Sequence, residues 1–210
     1  MLKDNTAAAR VPLDRDRILD AAFAVADAGG IDAVTMRSLA GALGVHFSSL
    51  YTHVASKEAI LDGMIERLIA EADMPVDFVD WREWVRSFAV ALRGMAGTHP
   101  GGFEVFLRRS AAGPLATSHS EAALAAFRRA GFAPRTAQEA VSGTALALLG
   151  LAFNECRRGP MVAPDRGHVS PERFPLVAEA LAAPDDTAGR WGLIVESLIA
   201  GLEREESGRR

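Results

Sequence analysis

Between Ala33 and Lys57 the chain carries no aspartate or glutamate. The same stretch holds Arg37, His46, His53 and Lys57, groups that are positive or can donate a proton, so a phosphate backbone can approach without meeting a carboxylate. Ser48, Ser49, Tyr51 and Thr52 add hydroxyls, and Phe47 adds an aromatic face. The signal is local. Residues 1–60 contain six Lys and Arg against seven Asp and Glu, and the whole chain has a net charge of −4, which speaks against indiscriminate binding to nucleic acid or anionic membranes.

Positioning these groups needs two short helices set across a tight turn. Thr35 can cap the first through its hydroxyl, Met36, Leu39 and Leu43 recur at helical spacing, and Ala40 is small where a second helix must approach. Gly44 ends the first helix, since only a residue without Cβ takes the left-handed backbone cheaply. Val45 and Leu50 pack the second helix back on the first, leaving His46, Phe47, Ser48, Ser49, Tyr51, Thr52 and His53 facing outward or marking the edge. That arrangement is a helix-turn-helix, whose second helix enters the DNA major groove. The competing reading is a helical hairpin in an all-α core, with Leu50 and Tyr51 as packing and the histidines as solvated surface.

Residues 13–65, LDRDRILDAAFAVADAGGIDAVTMRSLAGALGVHFSSLYTHVASKEAILDGMI, resemble the N-terminal domain of TetR-family transcriptional regulators over its whole length. The matched features are an amphipathic first helix ending in glycine, the TMRSLAGALGV segment, the aromatic LYTHV, and SK opening a fourth helix. The resemblance implies binding to double-stranded DNA as a homodimer, with a helical ligand-sensing and dimerisation domain following. It implies phosphate contacts for Tyr51, His53 and Lys57, the last at a helix N-terminus that itself attracts anions. It places Arg37 where a guanidinium can hold guanine O6 and N7. Thr35 and Thr52, in the same segment, are further candidate DNA contacts, while His46, Phe47, Ser48 and Ser49 open the recognition helix and set sequence preference. Phe47 can touch a thymine methyl or simply support the turn.

The flanking elements follow from caps and periodicity. The first helix runs from about Asp14 to Ala28 with Ile18, Leu19, Ala22, Phe23 and Ala26 on one face, and Gly29-Gly30 stops it. Ser56 caps a helix from Lys57 to about Ala72, whose Ile60, Leu61, Met64, Ile65, Leu68 and Ile69 form an apolar stripe. Met74-Pro75 marks a boundary, because the residue before proline resists the helical conformation. Asp80 and Glu83 read as a capping box for a helix ending near Gly97, a short helix follows from Gly102 to Arg109, and Ser118 with Glu121 reads as a second box for a helix to Ala130.

Trp84, Phe88, Met95, Phe103, Phe106 and Phe127 are therefore expected to converge in the second domain. Aromatic stripes of this kind make either an ordinary core or the wall of a tunnel for a small apolar or amphipathic effector, and the resemblance favours the tunnel. His99, Asn154 and Arg108 are the polar candidates. In the tetracycline repressors a histidine near the sixth helix helps to bind a drug-chelated magnesium ion. Here no neighbouring histidine or carboxylate pattern accompanies His99, so neither a metal nor a cofactor is expected.

A helix from Pro134 to about Arg158 would be roughly 37 Å long at 1.5 Å per residue. Gly143, Ala147 and Gly150 form a stripe of small residues along it beside Leu151, and small residues let two helices cross closely. Residues 159–171 read as a Gly- and Pro-rich loop, followed by a short helix from Phe174 to Ala182. The last helix, about Thr187 to Glu203, carries Trp191, Ile194, Val195, Leu198, Ile199 and Leu202 in helical register. These two long helices are expected to form a four-helix interface, two from each subunit. Burial within one subunit is the alternative.

The expected organisation is all-α. It comprises a flexible arm (1–12) in which Arg10 can reach a minor groove, a helix-turn-helix domain (13–56), a connecting helix (57–73), a ligand-binding and dimerisation domain (74–204) and a flexible end (205–210). Cys156, the single cysteine among 210 residues, cannot form an internal disulfide, which fits a cytoplasmic protein. No apolar run reaches a membrane span, and MLKDNTAAARVP lacks the apolar core of a signal peptide. No Gly-rich phosphate loop, paired metal-ligand motif or serine elbow points to an enzyme. His99, His119 and Cys156 have no spacing that demands catalysis. A protein-binding helical scaffold is the other rival, and it leaves the carboxylate-free stretch unexplained.

Overall fold

A computed structural model describes residues 12–109, 113–156, 169–184 and 186–207. Among these residues the chain is all-α, with ten helices, one 3-10 turn and no strand. The proposed N-terminal arm with Arg10, and most of the Gly- and Pro-rich loop, lie outside the described residues.

The chain forms two compact units, one built from residues up to Leu68 plus the segment from His99 to Ala111, the other from Ile69–Thr98 and the residues after Ala111. The sequence boundary at 73/74 assigned the segment from His99 to the second domain instead. In the first unit, α1 (Arg15–Gly29) is capped by Asp14, whose carboxylate accepts the Arg17 N–H at 2.8 Å, and Gly30 closes it with φ +77°. A 3-10 turn (Ile31–Ala33) leads to α2 (Met36–Leu43), α3 (Phe47–Leu50) and α4 (Lys57–Glu71). Ile18, Ala22, Val34, Leu39, Leu50, Ile60 and Met64 are fully buried, so the apolar stripes on α1, α2 and α4 make one core.

The helix α6 (Pro100–Arg108) belongs to this unit and packs on α1. The contact is close because Gly101 and Gly102 lack side chains. A Cβ on Gly101 would overlap the Ala26 carbonyl, and one on Gly102 would strike the Phe23 ring. Asp27 seals the junction, one carboxylate oxygen accepting the Gly101 N–H at 2.7 Å and the other lying 3.2 Å from His99 Nδ1.

The second unit contains α5 (Trp81–Thr98), α7 (Pro114–Arg129), α8 (Pro134–Cys156), α9 (Pro175–Ala182) and α10 (Thr187–Ser207). Helix α5 packs against α7, α8 and α10. Its core is aromatic: Trp81 stacks on Phe127 with centroids 5.2 Å apart, and Phe132 meets both edge-on. Arg82 ties the start of α5 to the end of α10, its guanidinium bonding Glu203 at 2.7 Å and Glu206 at 2.8 Å. Burial disfavours its charge, but bonds to Glu203, Glu206 and Asp80 outweigh that and raise its pKa.

Two expected termini differ. Helix α7 begins at Pro114, four residues before the Ser118 cap inferred from sequence, and the Ser118 hydroxyl instead donates to the Pro114 carbonyl at 3.0 Å. Proline is favoured at the first position of a helix, where its missing N–H costs nothing. Helix α10 continues to Ser207, because Arg82 anchors Glu203 and Glu206 beyond the expected fraying point.

Candidate nucleic-acid interface and effector site

Local chemistry fixes the helix-turn-helix at both ends. Thr35 and Ser38 form a reciprocal capping box, the Thr35 Oγ1 accepting the Ser38 N–H at 3.0 Å and the Ser38 Oγ accepting the Thr35 N–H at 2.9 Å. Thr35 is thereby a cap that holds α2 in place. Gly44 adopts φ 65° and ψ 32°, and the Val45 N–H reaches back to the Ala40 carbonyl at 3.0 Å. Beyond this turn His46 caps α3, and Leu50 (α3) and Val54 point into the core.

The recognition helix is short. Regular α-helix covers only Phe47–Leu50, although the His53 and Val54 N–H groups both still bond the Leu50 carbonyl. The Thr52 hydroxyl donates to the Ser49 carbonyl at 2.7 Å, a local bond that competes with continued helix.

The structure brings the sequence-derived candidates onto one exposed region. Arg37, His46, Phe47, Ser48, Tyr51, Thr52 and His53 are exposed, and Ser49 and Lys57 are half-buried. Phe47 and Tyr51 each keep about half of their surface open (52%), a large exposure for aromatic side chains and one that leaves them available to a partner. Lys57 begins α4, where Ser56 accepts the Ala59 N–H at 3.2 Å.

The aromatic candidates do not form one group. Trp84, Phe88, Met95 and Phe127 lie in the second unit, with Trp84 stacked on Phe88 at 5.3 Å and edge-on to Phe127 at 5.8 Å. His99, Phe103 and Phe106 lie in the first. There the His99 ring lies tilted against Phe23 at 4.4 Å and Phe103 is fully buried, 6.0 Å from the Phe106 ring. Helix spacing could not reveal this split, since α5 and α6 are separated in sequence by a single residue. Asn154 is exposed, and Arg108 pairs with Glu104 at 2.6 Å.

Two nitrogens outside the expected site residues stand out. The Trp81 Nε1 and the His119 Nδ1 are buried without a hydrogen-bond partner among the described residues. The available signal was position: His119 stands one turn before Ala122 and Ala123 on the buried face of α7. Among the described residues no group of three or more His, Cys, Asp or Glu could hold a metal ion, and no helix is long and apolar enough to cross a membrane.

The expected interface residues also separate. On α10, Trp191, Val195 and Ile199 are buried within their own unit, and the Trp191 Nε1 donates to Glu155 at 2.5 Å. In the single chain these three side chains are already covered, the arrangement that the alternative reading of burial within one subunit expects. Ile194, Leu198 and Leu202 are half-buried, as is Leu151 on α8. Gly143, Ala147 and Gly150 are exposed, as are Leu146 (72%) on the same helix and Leu193 (68%) on α10, both missed in the sequence.

A capped helix-turn-helix with an exposed carboxylate-free face, joined in one chain to a helical unit with an aromatic interior, defines a DNA-binding regulator of the one-component type. Comparison with known proteins agrees. The family model described as bacterial regulatory proteins, tetR family, matches residues 18–64. The class D tetracycline repressor protein of Escherichia coli is 30% identical over 91% of this chain and 89% of its own length. An HTH-type transcriptional regulator of Saccharopolyspora erythraea is 36% identical over 57% of this chain, a match spanning about half (51%) of that relative. The crystal structure of apo ActR from Streptomyces coelicolor superposes with a TM-score of 0.77 at 26% identity, covering 95% of this chain and 99% of ActR. The chain belongs to the TetR family of bacterial regulatory proteins, and it is a DNA-binding transcriptional regulator.

Proposed function

We propose that the protein is a homodimeric repressor that grips an inverted-repeat operator with its α2–α3 units and is released by a small apolar or amphipathic molecule held in the second unit. The observation that carries the DNA half is the exposed stretch from Arg37 to Lys57, free of carboxylates in a chain whose net charge is −4. Long-range attraction to DNA is weak for such a chain, so binding rests on local contacts and on two half-sites engaged together. A dimer is supported by the exposed strip of Gly143, Leu146, Ala147 and Gly150 on α8 with Leu193 on α10, an apolar surface that a second copy would cover.

The effector half is supported by the aromatic interior around Trp84, Phe88 and Phe127 and by the Trp81 and His119 nitrogens, which have no partner among the described residues. Buried polar atoms without partners are rare, and a ligand with a few polar groups on a flat apolar body would answer them. ActR has been crystallised in complex with actinorhodin, and the class D relative is named a tetracycline repressor. An aromatic, amphipathic effector follows for this chain. A place inside the cell follows from the DNA target.

The test is selection of bound duplexes from a random pool at two salt concentrations. The expected result is an inverted repeat whose enrichment falls steeply with salt. Failure to enrich any sequence, with folded protein in hand, would overturn the repressor reading.

A further inference from the structure

We propose that His46 meets DNA only as a hydrogen-bond donor, through Nε2–H, and that the acceptor it selects is a purine N7 in the major groove. The inference rests on the DNA-binding reading of α3 and adds the chemistry of its first contact. His46 is the N-cap of α3, and its Nδ1 lies 2.7 Å from the Ser48 hydroxyl oxygen and 3.4 Å from the Ser48 backbone nitrogen. A backbone N–H can only donate, so Nδ1 must present its lone pair to it, and the Ser48 hydroxyl, which can do either, then donates as well. A neutral imidazole that accepts at Nδ1 carries its proton on Nε2. Protonation of the ring would leave Nε2–H in place. The other tautomer would donate Nδ1–H to the Ser48 hydroxyl oxygen and turn Nε2 into an acceptor, but it would set that proton against the Ser48 N–H, and the cap disfavours it.

Two consequences follow at the surface. The His46 ring lies against Phe47 with centroids 4.9 Å apart and planes tilted by 39°, which limits its swing. Ser48, whose proton is committed to the ring, offers DNA only lone pairs. The first turn of the recognition helix thus presents a donor at His46 and an acceptor at Ser48. In the major groove every purine offers N7 as an acceptor, and adenine and cytosine offer exocyclic amines as donors.

The experiment uses the full chain and the duplex that it selects from a random pool. Each purine of one half-site is replaced in turn by its 7-deaza analogue, and affinity is measured for the wild type, His46→Asp and His46→Asn. An aspartate keeps the side-chain oxygen that caps α3 but has no donor; an asparagine keeps the cap and restores a donor. The expected result is one position per half-site where the 7-deaza base costs the wild type about fivefold, the usual worth of one neutral hydrogen bond. The same base costs His46→Asp nothing, with a partial penalty in His46→Asn. Equal penalties in wild type and His46→Asp at every purine would overturn the proposal, including the case in which only methylphosphonate substitution separates the two, since His46 would then bond the backbone. Selection of no duplex by the wild type is a different failure, of the DNA-binding reading itself, and it overturns this inference with it.

Discussion

Asp27, near the end of α1, accepts the Gly101 N–H at 2.7 Å and so caps a helix that begins more than seventy residues later. The bond satisfies a donor that the first turn of α6 leaves open, and Gly101 permits it by carrying no side chain against the Ala26 carbonyl. Gly101→Ala should therefore be among the most damaging small changes in the chain, because the neighbour that must yield is backbone. A loss of about 3 kcal/mol is expected from urea unfolding, at the upper end for overpacking. Asp27→Ala, which removes the cap and the contact with His99 but adds no overlap, should cost about 1 kcal/mol. Equal stability of Gly101→Ala and wild type would show that α6 does not seat on α1.

That junction also marks what the sequence could and could not disclose. The caps at Thr35 and Ser56, the start of α1 near Asp14 and the left-handed turn at Gly44 were legible because each is settled within a few residues. The seat of α6 was not: His99-Pro100-Gly101-Gly102 reads locally as a helix stop, and only the distant Ala26 and Phe23 explain the glycines. The α10 face was half legible. Period 3.6 reveals that Trp191, Val195 and Ile199 share a side, but not that α5 and α8 of the same chain already cover it. That the nitrogens of Trp81 and His119 find no partner among the described residues depends on packing that no local pattern encodes.

The DNA contacts should divide by chemistry. Tyr51→Phe removes one phosphate donor and should weaken binding about fivefold on every sequence, as a single neutral hydrogen bond would. Lys57→Ala should lower the slope of log affinity against log salt by about one. Arg37 is exposed and has no ion-pair partner among the described residues, so its guanidinium is available to a base edge. Arg37→Ala should relax preference at one position per half-site, read by repeating the duplex selection. A uniform loss at Arg37 and a sequence-dependent one at Tyr51 would reverse the assignment.

The exposed strip on α8 makes a prediction for assembly. Leu146 is 72% exposed in a single chain, so a charge there should leave the subunit fold intact. Between two copies the same charge would be buried without a partner, which is strongly destabilising. Leu146→Glu should sediment as a folded monomer with wild-type helicity and lose operator affinity, because one half-site alone binds weakly. A dimer of unchanged affinity would move the interface elsewhere.

Arg86 and Glu196 join α5 to α10 through paired bonds of 3.0 and 3.1 Å, and the hydrogen bond from Arg86 holds the Glu196 carboxyl below the usual carboxylate range. A carboxyl depressed in the folded state binds its proton more readily once unfolded. The stabilisation is therefore present above the ordinary carboxylate pKa and lost as pH falls through the lowered one. The pair is exposed, so its effect is small and screened by salt. Urea midpoints of wild type and Glu196→Gln should differ slightly at pH 7 and low salt, and converge on acidification and on addition of salt. A gap that widened in acid would contradict the pairing.

His119 is half-buried, and its covered Nδ1 has no partner among the described residues. Leaving a buried donor or acceptor unsatisfied costs about 1–3 kcal/mol, whereas an apolar group of similar shape costs nothing comparable. If His119 serves only the fold, the position is a defect that substitution should relieve; if it serves an effector, the same substitution should relieve the fold and damage the response. His119→Leu should thus raise the urea midpoint by about 1 kcal/mol equivalent and leave operator affinity unchanged, since the residue lies in the second unit. The decisive reading is release from the operator across a panel of aromatic amphipaths, beginning with tetracycline and actinorhodin. A compound that releases the wild type and fails on the more stable His119→Leu protein would place the imidazole in the effector site. A variant less stable than the wild type would mean that the ring already has its partner in the folded chain.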